Sequence, residues 1–110
     1  MEKREIKLPE VIKGFEDEFE KFVRKLDKSS QARLVRLIDL LEKHGINLGM
    51  PYVKKLGKNM WELRTSGKQK VRVIFVSKGI NIVILNWFIK KTNKTPLREI
   101  QTAESRLDRI

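Results

Sequence analysis

Cysteine is absent from the 110 residues, which excludes disulfide staples, thiol nucleophiles and thiolate metal ligands. Histidine occurs once, at His44, so a histidine-based metal cluster is excluded too, and neither a metal nor another cofactor is expected. Long apolar runs are also missing. The longest, Ile80 to Ile89, is interrupted by Asn81 and Asn86 and falls well short of the ~20 residues that a bilayer-spanning helix needs. The charged start Met1-Glu2-Lys3-Arg4-Glu5 has no apolar stretch behind it and does not read as a secretory signal. A cytoplasmic protein without a membrane partner is expected.

Acid is what the second half lacks. Residues 51–110 hold 14 Lys and Arg against 4 Asp and Glu, whereas residues 1–50 hold 11 against 10. Between Lys54 and Arg98 twelve basic residues accompany a single acid, Glu62. Such an excess points first to nucleic acid, because Lys and Arg neutralise phosphates and release condensed counterions. A hydrophobic content of 40% beside 35% charged residues describes one globular domain spanning residues 1–110, large enough to bury its own core.

Arg4-Glu5-Ile6-Lys7-Leu8 alternates polar and apolar and predicts a short edge strand closed by Pro9. From Glu10 onward, Phe15, Phe19, Phe22, Val23 and Leu26 recur at helical spacing and leave Glu16, Asp17, Glu18 and Glu20 for water. Asp27-Lys28-Ser29-Ser30 breaks that pattern and offers a serine as N-cap of a second helix. Its apolar stripe is Leu34, Leu37, Ile38 and Leu41, and Gly45 is placed to close it in a left-handed cap.

Beyond Gly49-Met50-Pro51 the period changes to two. Trp61 and Leu63 alternate with Glu62 and Arg64, Thr65-Ser66-Gly67-Lys68 supplies a turn, and Val71, Val73 and Phe75 alternate with Arg72 and Ile74. This predicts an antiparallel hairpin with Arg72 on its solvent face. A register that pairs Leu63 with Val73 sets Arg64 directly across from Arg72, and two opposed like charges repel unless an anion sits between them. Ser77-Lys78-Gly79 turns the chain into Ile80 to Phe88, apolar on both faces and therefore a central strand. After the polar loop from Lys90, Thr95 as N-cap and Pro96 at the first helical position start a last helix with the stripe Leu97, Ile100, Ala103 and Leu107. The predicted class is α+β, in the order β-α-α-β-β-β-α, with two N-terminal helices packed on a small curved antiparallel sheet and a C-terminal helix.

That order, with Trp61-Glu62-Leu63-Arg64, Val71-Arg72-Val73-Ile74-Phe75 and Phe88-Ile89-Lys90-Lys91-Thr92-Asn93-Lys94-Thr95-Pro96, resembles the RelE/ParE superfamily of toxins from type II toxin–antitoxin modules, and within it the HigB-like, phage-derived branch. The resemblance covers roughly Lys21 to the carboxyl terminus. It implies a toxin that enters the ribosomal A site and cuts messenger RNA, neutralised by an antitoxin that in this branch usually carries a helix-turn-helix. By motif position Arg72 resembles the strand arginine that steadies the scissile phosphate, and Lys90, Lys91 and Lys94 fall in the loop where relatives place catalytic or RNA-positioning groups. Lys54 and Lys55 precede the first hairpin strand, where relatives also carry basic residues. The chain departs from many ribosome-dependent relatives in having no aromatic residue or histidine after Lys91.

Metal-free RNA cleavage needs a base for the 2′-hydroxyl proton, cations for the phosphorane charge and an acid for the leaving 5′-oxygen. Arg72 and Arg64 suit the charge-stabilising role, since a guanidinium presents paired donors and keeps its proton. A lysine crowded by other cations gives up its proton more readily, which nominates Lys91 and Lys94 as acid or base. Lys54, Lys55, Lys70 and Lys90 complete the expected RNA-contacting set. Glu62 reads as a solvated cross-strand ion pair with Lys70 or Arg72, or as the carboxylate that orients an arginine or takes a proton. Lys58, Lys68 and Lys78 at turns read as ordinary solubilising charge, His44 as a helix C-terminal cation, and Trp61 and Trp87 as core. Two further functions fit the same residues, a ParE-like poison of DNA gyrase and a non-catalytic RNA-binding relative, because a shared fold does not fix function.

Overall fold

Gly14 stops the first helix from beginning where the apolar spacing suggests. In the computed structural model, which describes residues 10–57, 59–78 and 81–110, Gly14 has φ +94°, a left-handed conformation that glycine takes without strain. Its N–H donates to Glu16 Oε1 at 2.6 Å, and the helix α1 runs Glu16–Lys25. The residues before the glycine join the sheet instead. Glu10–Val11 (β1) lies parallel to Asn81–Ile89 (β5), with Glu10 opposite Val83 and Val11 opposite Ile84. The edge strand read over Arg4 to Leu8 lies outside the described residues, as do Gly79 and Ile80.

Helix α1 buries Phe19 and Val23 completely and places Glu16, Asp17 and Glu18 in its first turn and Arg24 and Lys25 in its last, the polarity that the helix dipole favours. The second helix, α2 (Lys28–His44), is capped by Asp27 rather than by a serine. Asp27 Oδ1 accepts the Ser30 N–H at 2.8 Å and the Ser29 hydroxyl at 3.0 Å, and these bonds hold its carboxyl below the usual range. The Asp27 N–H donates to Gln69 Oε1 at 2.8 Å, which ties the helix junction to the turn of the hairpin. Leu34, Leu37, Ile38 and Leu41 are buried as the spacing predicts. Gly45, at φ +59°, ends α2 with its N–H on Leu41 O.

Among the described residues the sheet has five strands, β2 being Val53–Gly57, β3 Met60–Arg64 and β4 Val71–Lys78, in the order β1-β5-β4-β3-β2. It is mixed, since only the short β1 runs parallel. Strand β2 was not foreseen, because a register shift between Lys55 and Gly57 interrupts the period-two pattern by which a strand is read. The hairpin register is the expected one, Leu63 opposite Val73 and Arg64 opposite Arg72. Strand β4 sits at the centre of the sheet, and all six residues from Val71 to Val76 are buried. Neither of its faces is open to water.

The two faces have different covers. Phe19 of α1 meets Trp87 of β5 with ring centroids 5.0 Å apart, on the face shared by Leu63 and Val73. The last helix, α3 (Leu97–Leu107), packs on the other, where Asn86 Nδ2 donates to Glu99 O at 2.9 Å and Ala103 is fully buried. Leu97, expected on the packing stripe, is 67% exposed. Arg106 pins the far end of α3. Its Nη1 donates to Leu85 O at 2.8 Å while the guanidinium lies 4.0 Å from the Phe15 centroid, a stacked geometry open to arginine. No helix among the described residues is long and apolar enough to cross a membrane.

Phe19 is the test of the α1 contact. Phe19→Ala is expected to cost about 3–5 kcal/mol, the range for deleting a buried aromatic ring, and the half-buried Phe22→Ala clearly less. Urea denaturation of the two variants measures the difference, and equal costs would show that α1 is not anchored through Phe19.

Candidate functional site

Arg64 and Arg72 are paired across β3 and β4, and the anion that such a pair requires comes from within the chain. Glu62 stands two residues before Arg64 on β3, hence on the same face. Its Oε1 lies 3.8 Å from Arg64 Nε and 3.9 Å from Arg72 Nε. Both separations exceed hydrogen-bond length, and neither Nε finds a hydrogen-bond partner among the described residues. The other carboxylate oxygen, Oε2, accepts the Thr95 hydroxyl at 2.6 Å. Glu62 is 1% exposed, so it is a buried bridge and not a solvated surface pair.

Arg72 is 5% exposed and does not project from a solvent face. Its Nη1 donates to Thr65 O and to Val71 O, each at 2.9 Å, which fixes the guanidinium beneath the surface. Burial, and then the charge of Arg64, push it below the usual arginine range while Glu62 opposes them; arginine stays protonated regardless. The Arg64 side chain keeps 25% of its surface exposed and is the member of the pair that solvent can reach. Thr95 is not the helix cap. Pro96 takes that position, its carbonyl accepting the Glu99 N–H at 3.0 Å, and the Thr95 hydroxyl serves Glu62 instead.

Lys90 joins this group from the end of β5. It is half-buried, and its backbone N–H donates to Lys70 O at 2.8 Å, extending the ladder past the last paired residue. Partial removal from water is the largest cause lowering its ammonium pKa, followed by the charges of Arg72 and Arg64; Glu62 opposes them and Lys54 adds a smaller push. Lys54, exposed on β2, is paired with Glu62 across the strands. One end of the sheet therefore collects Lys54, Arg64, Arg72 and Lys90 around a single buried carboxylate.

The remaining basic residues expected at the site are all exposed. Lys91 and Lys94 are exposed in the loop after β5, where the Thr92 hydroxyl donates to Lys94 O at 2.8 Å. Lys70 is exposed before β4. Lys55 pairs with Trp61 and holds its ammonium 5.6 Å from that ring's centroid, on the opposite face of the sheet from Lys54. Thr95 is the residue of the site that motif reading missed, because a threonine before proline carries a ready explanation as a cap. Among the described residues no group of three or more His, Asp and Glu side chains is placed to hold a metal ion. What the cluster offers chemically is fixed positive charge, one lysine partly withdrawn from water, and a scaffold that holds both.

A model of the family described as Phage derived protein Gp49-like (DUF891) matches residues 21–108. No curated protein matches the chain.

Stability separates the two arginines. Arg72→Ala leaves the buried Glu62 charge with Arg64 alone and takes a donor from the Thr65 and Val71 carbonyls, and is expected to cost about 3–5 kcal/mol, the range for removing one partner of a buried ion pair. Arg64→Ala is expected to cost about 1 kcal/mol or less, as for a partly exposed charge. Urea denaturation of both decides, and an Arg72→Ala variant as stable as wild type would contradict the buried placement.

Proposed function

The chain belongs to the Gp49-like family of phage-derived proteins, and from that premise we propose that it is the toxin of a type II toxin–antitoxin pair, of the HigB-like branch, which cuts ribosome-bound messenger RNA without a metal. One observation carries the reading: Lys54, Arg64, Arg72 and Lys90 converge on one end of the sheet, in a region where Glu62 is the only acid from Lys54 to Arg98. A cluster of this kind repels cations and proteins of like charge and concentrates phosphate.

The chemistry assigned to the residues follows from their surroundings. Neutral Lys90 Nζ takes the proton of a 2′-hydroxyl, and the 2′-oxygen forms a bond to phosphorus as the bond to the 5′-oxygen breaks. The products are a 2′,3′-cyclic phosphate and a 5′-hydroxyl, whose proton comes from the ammonium of Lys91 or Lys94. Arg64 holds the non-bridging oxygens, while Arg72 stabilises the added negative charge from beneath without leaving its carbonyl partners. Lys90 takes the role of base from the two exposed lysines because its partial removal from water, and then the same cations that attract the phosphate, make its proton easier to lose. A helix-turn-helix antitoxin with an acidic or acid-flanked segment covering this end of the sheet would neutralise the toxin by occupying the same charge.

Primer extension on transcripts after induced expression tests the activity. Cuts positioned by codon are the expected result, whereas intact transcripts with gyrase-dependent DNA breaks would transfer the protein to the gyrase-poison class. Lys90→Arg keeps the charge and removes the base, so RNA affinity should persist while single-turnover cleavage falls by about 100- to 10,000-fold, the usual share of general acid–base catalysis. The wild-type rate should rise with pH up to a pKa below that of an ordinary lysine, since the neutral amine is the active form of Lys90, and should fall again once the general acid has lost its proton. A pH-independent rate, or a Lys90→Arg variant that cuts normally, would remove Lys90 from the reaction.

A further inference from the structure

Twelve basic residues and one acid lie between Lys54 and Arg98, and the fold buries that one acid between two of the bases. A single negative charge thus serves two guanidiniums, at 3.8 and 3.9 Å, and is hydrogen-bonded to neither. Among the described residues its carboxylate accepts one hydrogen bond, at 2.6 Å, from Thr95. The arginines are not equivalent. Arg72 is committed through Nη1 to the carbonyls of Thr65 and Val71 and is 5% exposed, so it stays where it is. Arg64 keeps a quarter of its side-chain surface in solvent, and among the described residues no hydrogen bond holds its Nε in place.

We infer that Glu62 is an internal anion that competes with an incoming phosphate for Arg64. In the resting protein the carboxylate is shared, and the sheet tolerates two opposed arginines without a bound ligand. When a phosphodiester arrives, Arg64 transfers to it and the Glu62 charge passes to Arg72 alone, one buried anion against one buried cation. The inference rests on the reading of this cluster as a phosphate site and adds to it a built-in brake on affinity: every phosphate bound must first win Arg64 from Glu62. A purely supporting role for Glu62 makes the opposite demand, because a support, once removed, leaves the arginines misplaced and binding weaker.

The sign of one substitution therefore decides. Glu62→Gln preserves shape and an acceptor for the Thr95 hydroxyl while removing the charge. Binding of a 2′-O-methyl RNA oligonucleotide, which the protein cannot cut, is measured by fluorescence anisotropy across a salt series. The variant should bind about fivefold tighter at 0.1 M salt, with the advantage vanishing near 1 M and the log–log slope steeper by about 0.7, as for one more counterion released from single-stranded RNA. Equal or weaker binding with an unchanged slope would overturn the inference. Should the uncompensated arginines unfold Glu62→Gln in chloride, inorganic phosphate at matched ionic strength should refold it by supplying the missing anion, and a variant that stays unfolded in phosphate would equally overturn it. Tighter binding by a protein that cuts no messenger leaves the competition standing and removes the nuclease, whereas codon-linked cutting with no gain in affinity removes the competition alone.

Discussion

Two guanidiniums facing each other across neighbouring strands repel, and the sheet closes over them because Glu62 brings a negative charge into the same buried space. Removing three charges from water is expensive, and the contacts of 3.8 and 3.9 Å are too long to return that cost through hydrogen bonds. The cluster is better understood as a constraint than as a source of stability. Its carboxylate accepts the Thr95 hydroxyl just before α3, and its charges contribute to the field in which Lys90 titrates. Remove the carboxylate and each of these relations changes together.

The contrast between the two ends of the sheet sharpens the functional reading. At the end held by Arg106, an arginine is spent on structure, with its Nη1 on Leu85 O and its plane against Phe15. At the other end Arg64 keeps an unbonded Nε and an exposed edge. Both are arginines near the surface of a small domain. Around the second gather Lys54, Arg72 and Lys90, and the one acid from Lys54 to Arg98, Glu62, is buried among them.

Much of this arrangement was legible in the chain. The alternation around Leu63 and Val73 determines a register that opposes Arg64 to Arg72, and the requirement for an anion follows from charge alone. The helical stripes of Phe19 and Val23 and of Leu34 to Leu41, and the end of α2 at Gly45, follow equally from spacing and from glycine's freedom. What escaped was whatever depends on a second layer. Arg72 alternates with valines and so reads as exposed, yet β4 is covered on both faces. Asp27 outcompetes the serines as a cap because it is the residue placed to accept the Ser30 N–H. Strand β2 is hidden by its bulge. Thr95 looks like a cap by its position before Pro96, and only the folded chain shows its hydroxyl reaching Glu62, 33 residues away in sequence.

The distinct duties of the two arginines are open to direct observation through their Nε–H resonances, which report on each guanidinium separately. A titration of the ¹⁵N-labelled protein with a 2′-O-methyl RNA trinucleotide should move the Arg64 Nε–H signal most, with a smaller change at Arg72 as Glu62 turns fully to it. Changes confined to arginines of the helical layer, such as Arg33 and Arg36 on α2, with Arg64 unmoved, would contradict the assignment of this end of the sheet as the site that receives phosphate.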